Sequence, residues 1–143
     1  MDIRRITSRY HVAPQLVPEN LAAIADAGFK TVICNRPDAE VPQDQQAAAI
    51  RAAAQDAGLG FETLELTHQT MTPENVARQR ELIDGSDGPV LAYCATGTRC
   101  SVVWALGQAE TMPVDEILAT TARAGYDLEG LRPTLEQLSR VSG

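Results

Sequence analysis

The sequence predicts an α/β domain of three layers, in which a mostly parallel central sheet lies between helices. Short β-branched or apolar runs alternate with longer segments of helical periodicity, which is the pattern of βαβ units. Residues 89–94 (PVLAYC) are continuously apolar, as expected of a central strand that is covered on both faces. Because the 143 residues contain no repeat or linker, the chain is expected to form one domain, residues 1–143.

The other elements are predicted from periodicity and from the residues that begin and end helices. Three further strands are expected at residues 10–12, 30–35 and 61–66. Helices are expected at residues 18–27, 44–57, 73–83 and 100–110, with two more beginning at Pro113 and Pro133. Glycine readily adopts the left-handed conformation that follows many helix C-termini, so Gly28, Gly58 and Gly125 are expected to end helices.

The acidic composition restricts the partners. The net charge is −7 and the only lysine is Lys30, which disfavours nucleic acid and anionic membranes. An anionic ligand would therefore need a few well-placed arginines. No apolar run approaches the ~18 residues of a membrane span, and the N-terminus has no apolar signal segment, so the cytoplasm is the expected location. The sequence does not indicate an oligomeric state.

The three cysteines, Cys34, Cys94 and Cys100, are an odd number without the spacing of a disulfide framework. In a cytoplasmic chain they are expected to be thiols. His11 and His68 are the only histidines, and their separation gives no metal-ligand spacing. We therefore predict neither a metal site nor a cofactor.

The segment LAYCATGTRC, residues 91–100, predicts the functional site. Cys94 ends the most apolar strand, and open parallel sheets bind ligands beyond the carboxyl ends of their strands. Small residues follow, and their backbone N–H groups and the next helix N-terminus favour an anion. They are Ala95, Thr96, Gly97 and Thr98, and Cys100 is assigned to the same anion-binding loop.

Arg99 follows this loop and is able to hold an oxyanion with two parallel donors. A thiol in such a field has a lowered pKa and is a nucleophile at neutral pH. The sequence thus predicts a Cys94 nucleophile beside an anion-binding loop. The alternative is a buried, inert cysteine at a strand end.

Cys-x-x-Gly-x-Arg at a strand-to-helix junction is similar to two catalytic loops. Tyrosine and dual-specificity phosphatases place five residues between Cys and Arg, whereas rhodanese-type sulfurtransferases commonly place four, as here. Residues 6–40, 89–100 and 102–109 closely resemble the beta-lactamase hydrolase-like protein, phosphatase-like domain family. The resemblance implies a dual-specificity-phosphatase-like fold with a loop of rhodanese length, and relatives fused to a metallo-beta-lactamase-like domain.

Two features favour a sulfurtransferase, in which Cys94 becomes a persulfide and passes sulfur from a small anion to an acceptor thiol. One is the four-residue loop. The other is the absence of a carboxylate from residues 67–72 (THQTMT), where phosphatases of this fold carry the general acid, a group typically worth ~10²–10⁴-fold in rate. The alternatives are a phosphatase with a phosphocysteine intermediate and a non-catalytic anion-binding or redox-sensing module.

The auxiliary candidates outside the loop are Cys34, Arg36, Asp38, His68 and Ser101. His68 is the protic residue of the THQTMT segment. Asp38 and Glu40 lie after the 30–35 strand and must fold over the site to take part. Arg36 either adds positive charge to the pocket or only pairs with Asp38 or Glu40.

Cys100 stands where the resembled phosphatases carry a serine or threonine whose hydroxyl bonds the thiolate, and Ser101 follows it. Cys100 is either a resolving thiol for oxidised Cys94 or a small packing residue. Cys34 is the other candidate, because it ends a strand that we expect beside the Cys94 strand. Of the two we favour Cys34, since a strand end has the looser backbone.

Overall fold

A computed structural model describes residues 1–142 of the chain. Its centre is a five-stranded sheet with the order β1-β2-β5-β3-β4. Strand β1 is antiparallel to β2, and the other neighbouring strands are parallel. The strands are β1 (Arg4–Arg5), β2 (Tyr10–Ala13), β3 (Thr31–Cys34), β4 (Gly60–Thr63) and β5 (Val90–Tyr93).

Helices cover both faces of this sheet. Helices α1 (Leu21–Asp26) and α2 (Ala47–Asp56) share one hydrophobic core with one face. The other core contains side chains from α3 (Pro73–Asp84), α4 (Thr98–Gln108), α5 (Val114–Arg123) and α6 (Arg132–Ser142). The three-layer, mostly parallel α/β fold predicted from the sequence is therefore confirmed. Within residues 1–142, no helix is both long and apolar enough to span a bilayer.

The observed elements differ from the predicted ones mainly at their ends. The helix expected from residue 100 already begins at Thr98, and the strand expected over residues 61–66 ends at Thr63. Strand β1 was not predicted, because two exposed residues cannot show an alternating pattern. Its position is set by pairing, with Arg4 opposite Val12.

Strand β5 lies between β2 and β3, and all four of its residues are buried. This confirms the continuous apolar run as a central strand. Cys34 of β3 lies opposite Tyr93 of β5, so the two strands are neighbours, as expected. The carboxyl end of β5 brings Cys94 to the sheet edge beside the start of α4.

Candidate active site

A tight loop joins Cys94 to helix α4, and Gly97 makes it possible. Gly97 has a φ of 92°, in the left-handed region that favours glycine. A Cβ at this position would also collide with the hydroxyl of Tyr126. That hydroxyl donates to the carbonyl of Thr96 at 3.1 Å, while the Gly97 N–H donates to Cys94 Sγ at 3.2 Å. The loop thus wraps around the sulfur.

Cys94 is held as a thiolate at neutral pH. The Cys100 thiol donates to its sulfur, and backbone N–H groups of Cys100, Thr96 and Gly97 add to the effect. Together they lower the pKa of Cys94 to about 5, although burial opposes the shift. The side chain is only 1% exposed, so the charge is held by these donors more than by water. Burial, and its contact with Cys94, raise the pKa of Cys100 well above the usual thiol range, so Cys100 remains a donor.

Arg99 is anchored by three hydrogen bonds. Its Nη1 donates to Glu40 Oε2 at 2.9 Å and its Nη2 donates to Glu40 Oε1 at 2.7 Å. Nη1 also donates to the carbonyl of Leu66 at 2.8 Å. A guanidinium has five N–H donors, so the Nε–H and the second Nη2–H remain. Among the described residues, none accepts a hydrogen bond from Nε.

A cleft of about 420 Å³ opens beside the loop and Arg99. It is bounded by the loop that carries Glu40 and by the turn between β4 and α3. Its lining residues are Glu40, Thr67, His68, Gln69, Ala95, Thr96, Thr98 and Arg99. Thus most of the predicted anion-binding loop and His68 share one cleft. In the part of the chain that the structure describes, no three His, Cys, Asp or Glu side chains are placed to hold a metal ion.

Two of the auxiliary candidates have structural partners instead. Asp38 Oδ1 accepts from the N–H of Ala47 at 2.8 Å, so this carboxylate caps the start of α2 and does not line the cleft. The Ser101 hydroxyl donates to the carbonyl of Gly97 at 2.8 Å and is fully buried. Neither side chain is placed to act on a group in the cleft.

Arg36 supports the cleft without lining it. Its Nε lies 3.4 Å from Glu40 Oε1, and its Nη2 donates to the Glu40 carbonyl at 3.3 Å. Its Nη1 donates to Gln15 Oε1 at 3.2 Å. Of the two readings left open by the sequence, the structure shows the pairing with Glu40.

Cys34 lies on the wrong side of the sheet to meet Cys94, and the preference for it as a resolving thiol is corrected. Successive side chains of a strand point to opposite faces. Cys34 and its register partner Tyr93 belong to the core under α1 and α2. Cys94 and Cys100 belong to the other core, and Cys100 contacts the Cys94 sulfur.

A buried polar network behind the loop was missed by sequence reasoning. Asn35 and Gln79 exchange two amide hydrogen bonds, each 2.9 Å long. Gln79 Nε2 also donates to the Tyr10 hydroxyl at 3.2 Å, and that hydroxyl donates to the carbonyl of Cys100 at 2.8 Å. The network ties β3 and α3 to the first turn of α4. The sequence shows Gln79 only as a glutamine within a predicted helix, and such a residue usually lies on the exposed face. Its burial was therefore not predicted.

The family model for the beta-lactamase hydrolase-like protein, phosphatase-like domain, matches residues 2–111. The chain belongs to this family. The beta-lactamase hydrolase-like protein of Xylella fastidiosa is 30% identical over 149 residues, covering 100% of this chain and 35% of that protein. The Agrobacterium fabrum protein of the same name is 30% identical over 105 residues, covering 73% of this chain and 24% of that protein. The chain thus spans about a third or less of the length of these curated relatives.

Solved structures agree with this assignment. A presumed phosphatase from Neisseria meningitidis is 39% identical, with a TM-score of 0.86 over 96% of this chain and 99% of that one. A presumed phosphatase from Shewanella putrefaciens has a TM-score of 0.73 at 16% identity, covering 99% and 93%. Pseudomonas aeruginosa TpbA, as a cysteine-to-serine variant with pTyr, has a TM-score of 0.60 at 17% identity, covering 94% and 90%. The last two show the fold alone, which is that of the tyrosine and dual-specificity phosphatases.

The sulfurtransferase prediction is wrong, because both the family and the 39%-identical structure are phosphatase-like. It relied partly on the four-residue loop. The structure gives a physical reason why loop length was a poor guide. Gly97 lets the short loop close directly onto α4, so backbone N–H groups still converge on Cys94. The alternative function considered from the sequence, a phosphatase, fits the family and the similar structure.

Proposed function

We propose that this protein is a phosphomonoester phosphatase that works through a phosphocysteine on Cys94. The observation that carries the proposal is geometric: the Gly97 N–H donates to Cys94 Sγ at 3.2 Å, at the N-terminus of α4 and beside Arg99. The phosphatase-like family and the similar Neisseria structure support it. Cys94 Sγ attacks phosphorus, an S–P bond forms and the P–O bond to the leaving group breaks. Water then cleaves the S–P bond, which releases inorganic phosphate and restores the thiolate.

Arg99 is suited to hold the phosphoryl group without leaving Glu40. A guanidinium has two edges that present parallel donors, and Glu40 uses the Nη1–Nη2 edge. The Nε–Nη2 edge keeps two donors for two phosphoryl oxygens. Glu40 is therefore a positioning residue in this proposal, because its carboxylate orients the guanidinium and is not itself required to touch phosphate.

The leaving group is proposed to be a phenol. Among the described residues, Glu40 is the only carboxylate that lines the cleft. Its hydrogen bonds from Arg99 lower its pKa, so it is ionised and a poor proton donor. Asp38 is engaged as a helix cap. A phenol has a pKa near ~10, which lets it depart with less help than an alkanol needs. His68, exposed on the cleft wall, is the residue available to protonate poorer leaving groups.

The direct test is hydrolysis of phenyl phosphate by wild type and by Cys94→Ser. We expect wild type to release phenol and phosphate, and Cys94→Ser to show no turnover. A rapid quench with ³²P-labelled substrate should show label on Cys94 in wild type. Hydrolysis that is equal in Cys94→Ser, or absent from wild type with phenyl and p-nitrophenyl phosphates alike, would overturn the proposal.

The proposed setting is a reducing one, such as the cytoplasm. All three cysteines are free, and a thiolate nucleophile persists where thiols are kept reduced. The proposed partner is a small phosphosubstrate or a phosphorylated aromatic side chain.

A further inference from the structure

A second cavity lies next to the cleft, between helices α3, α4 and α6. Its volume is about 560 Å³, within the ~300–1,000 Å³ typical of small-molecule sites. We call it the apolar groove. Most of its lining is apolar, including Met71, Val76, Val102, Leu106, Leu131 and Leu138. Five of these side chains are only partly buried, so they present apolar surface to whatever enters the groove.

The apolar groove adjoins the cleft, and the two share a wall. His68 lines both cavities. Helix α4 also lines both, since Thr98 borders the cleft while Val102 and Leu106 border the apolar groove. These three residues are spaced four apart and so share one helix face. Because an α-helix rises 1.5 Å per residue, this face extends about 12 Å from Thr98 to Leu106. A ligand bound along it would therefore reach from the cleft into the apolar groove.

The two cavities differ in polarity along this path. The cleft end has Arg99 and three residues of the anion-binding loop, Ala95, Thr96 and Thr98. The apolar groove has charged side chains at its rim, Arg80 and Glu110, and Arg80 is tied to α4 because its Nη1 donates to the carbonyl of Gly107 at 2.6 Å. One molecule with an anionic head and an apolar body therefore matches both cavities at once.

We propose that the apolar groove binds the leaving group of the substrate, which is an aryl phosphate extended by an apolar chain. This inference rests on the proposed phosphatase function. The phosphoryl group lies at Cys94, the aromatic ring passes His68, and the chain lies along Val102 and Leu106. The groove is thus a specificity site for the reaction at Cys94.

The proposal is tested by measuring kcat/KM for a series of substrates that runs from phenyl phosphate to 4-octylphenyl phosphate. Each substrate is kept below its critical micelle concentration. The para chain adds apolar length while the leaving phenol hardly changes in pKa. We expect kcat/KM of wild type to rise about two- to fourfold for each methylene that becomes buried, and then to level off.

Leu106→Gln should keep the wild-type rate on phenyl phosphate but lose most of the gain with chain length. Leu82→Gln is the matched control, because Leu82 is also helical, partly buried and packed on the same core, but lies outside the groove. It should retain the full gain.

The outcomes separate the two proposals. Hydrolysis of phenyl phosphate with no dependence on chain length would overturn the groove proposal and leave the phosphatase standing. An equal loss on all substrates in Leu106→Gln would mean that Leu106 acts only on the fold, which also contradicts the groove proposal. No hydrolysis of any aryl phosphate by wild type would overturn both.

Discussion

Glu40 and Arg99 form a bidentate pair across the mouth of the cleft, with hydrogen bonds of 2.9 and 2.7 Å. They are 59 residues apart in sequence and meet because β3 and β5 are neighbours in the sheet. Arg36 adds a second cation to Glu40 at 3.4 Å. No other described residue accepts a hydrogen bond from the Nε–Nη2 edge of Arg99, which faces away from Glu40.

The Glu40→Gln substitution should raise KM for phenyl phosphate and so lower kcat/KM, with little change in the melting temperature. The amide keeps the size of the side chain but loses its charge and one acceptor, so the guanidinium is less well oriented. Glu62→Gln, at an exposed position on β4, is the control and should behave as wild type. If Glu40→Gln instead bound phosphate more tightly, Glu40 would be a competitor for Arg99 and not a positioning residue.

Replacing Arg99→Lys should reduce kcat/KM by on the order of 10²-fold, as losing an oriented donor to a transition-state oxyanion does. An ammonium group cannot bond Glu40 and two phosphoryl oxygens through two flat edges. Steady-state kinetics and circular dichroism measure activity and folding separately. Arg78→Lys, at an exposed helical ion pair, should leave both unchanged. Wild-type kinetics in Arg99→Lys would mean that Arg99 supplies only charge.

Replacing Cys100→Ala should raise the pKa of Cys94 from about 5, since the Cys100 thiol is the strongest influence that lowers it. A difference titration of thiolate absorbance between each protein and its Cys94→Ser form measures the midpoint. Cys34→Ala is the control and should not move it, because Cys34 lies on the other face of the sheet. An unchanged midpoint in Cys100→Ala would assign the shift to backbone N–H groups alone.

The same shift predicts how stability depends on pH. The pKa of Cys94 is lower in the folded protein than the ~8.5 of a free thiol, so the folded state favours the thiolate. This contribution to the free energy of unfolding is complete above ~8.5 and is lost as the pH falls towards about 5. Cys94→Ser should therefore show a flatter pH dependence of unfolding than wild type. Parallel curves would contradict the thiolate assignment.

Replacing Gln79→Leu should lower the free energy of unfolding by about 1–3 kcal/mol, the usual cost of leaving a buried polar group unpaired. Leucine has a similar volume, but the Asn35 side chain loses both bonds to Gln79 and Tyr10 loses one. Denaturant unfolding measures the change. Gln55→Leu, at an exposed position on α2, should stay within about 0.5 kcal/mol of wild type.

Much of the fold and the site was predictable from local sequence. The alternation of apolar runs and helical segments determined the three-layer α/β fold, because each pattern reports which faces of an element are buried. The loop after Cys94 was equally local, since its small residues, Gly97 and Arg99 are consecutive. These features depend only on residues that are close together along the chain, so a single sequence is enough to predict them.

Tertiary structure alone decided the contacts between distant segments. The sequence placed Cys34 beside the Cys94 strand, but the register put its side chain on the opposite face. It placed Asp38 and Glu40 on one loop and favoured Asp38 as the auxiliary site residue, yet in the fold Asp38 caps α2 and Glu40 pairs with Arg99. It gave no sign that Gln79 is buried against Asn35. Each of these outcomes depends on how separate elements pack, and packing is fixed by the whole core, not by the pattern within any one segment.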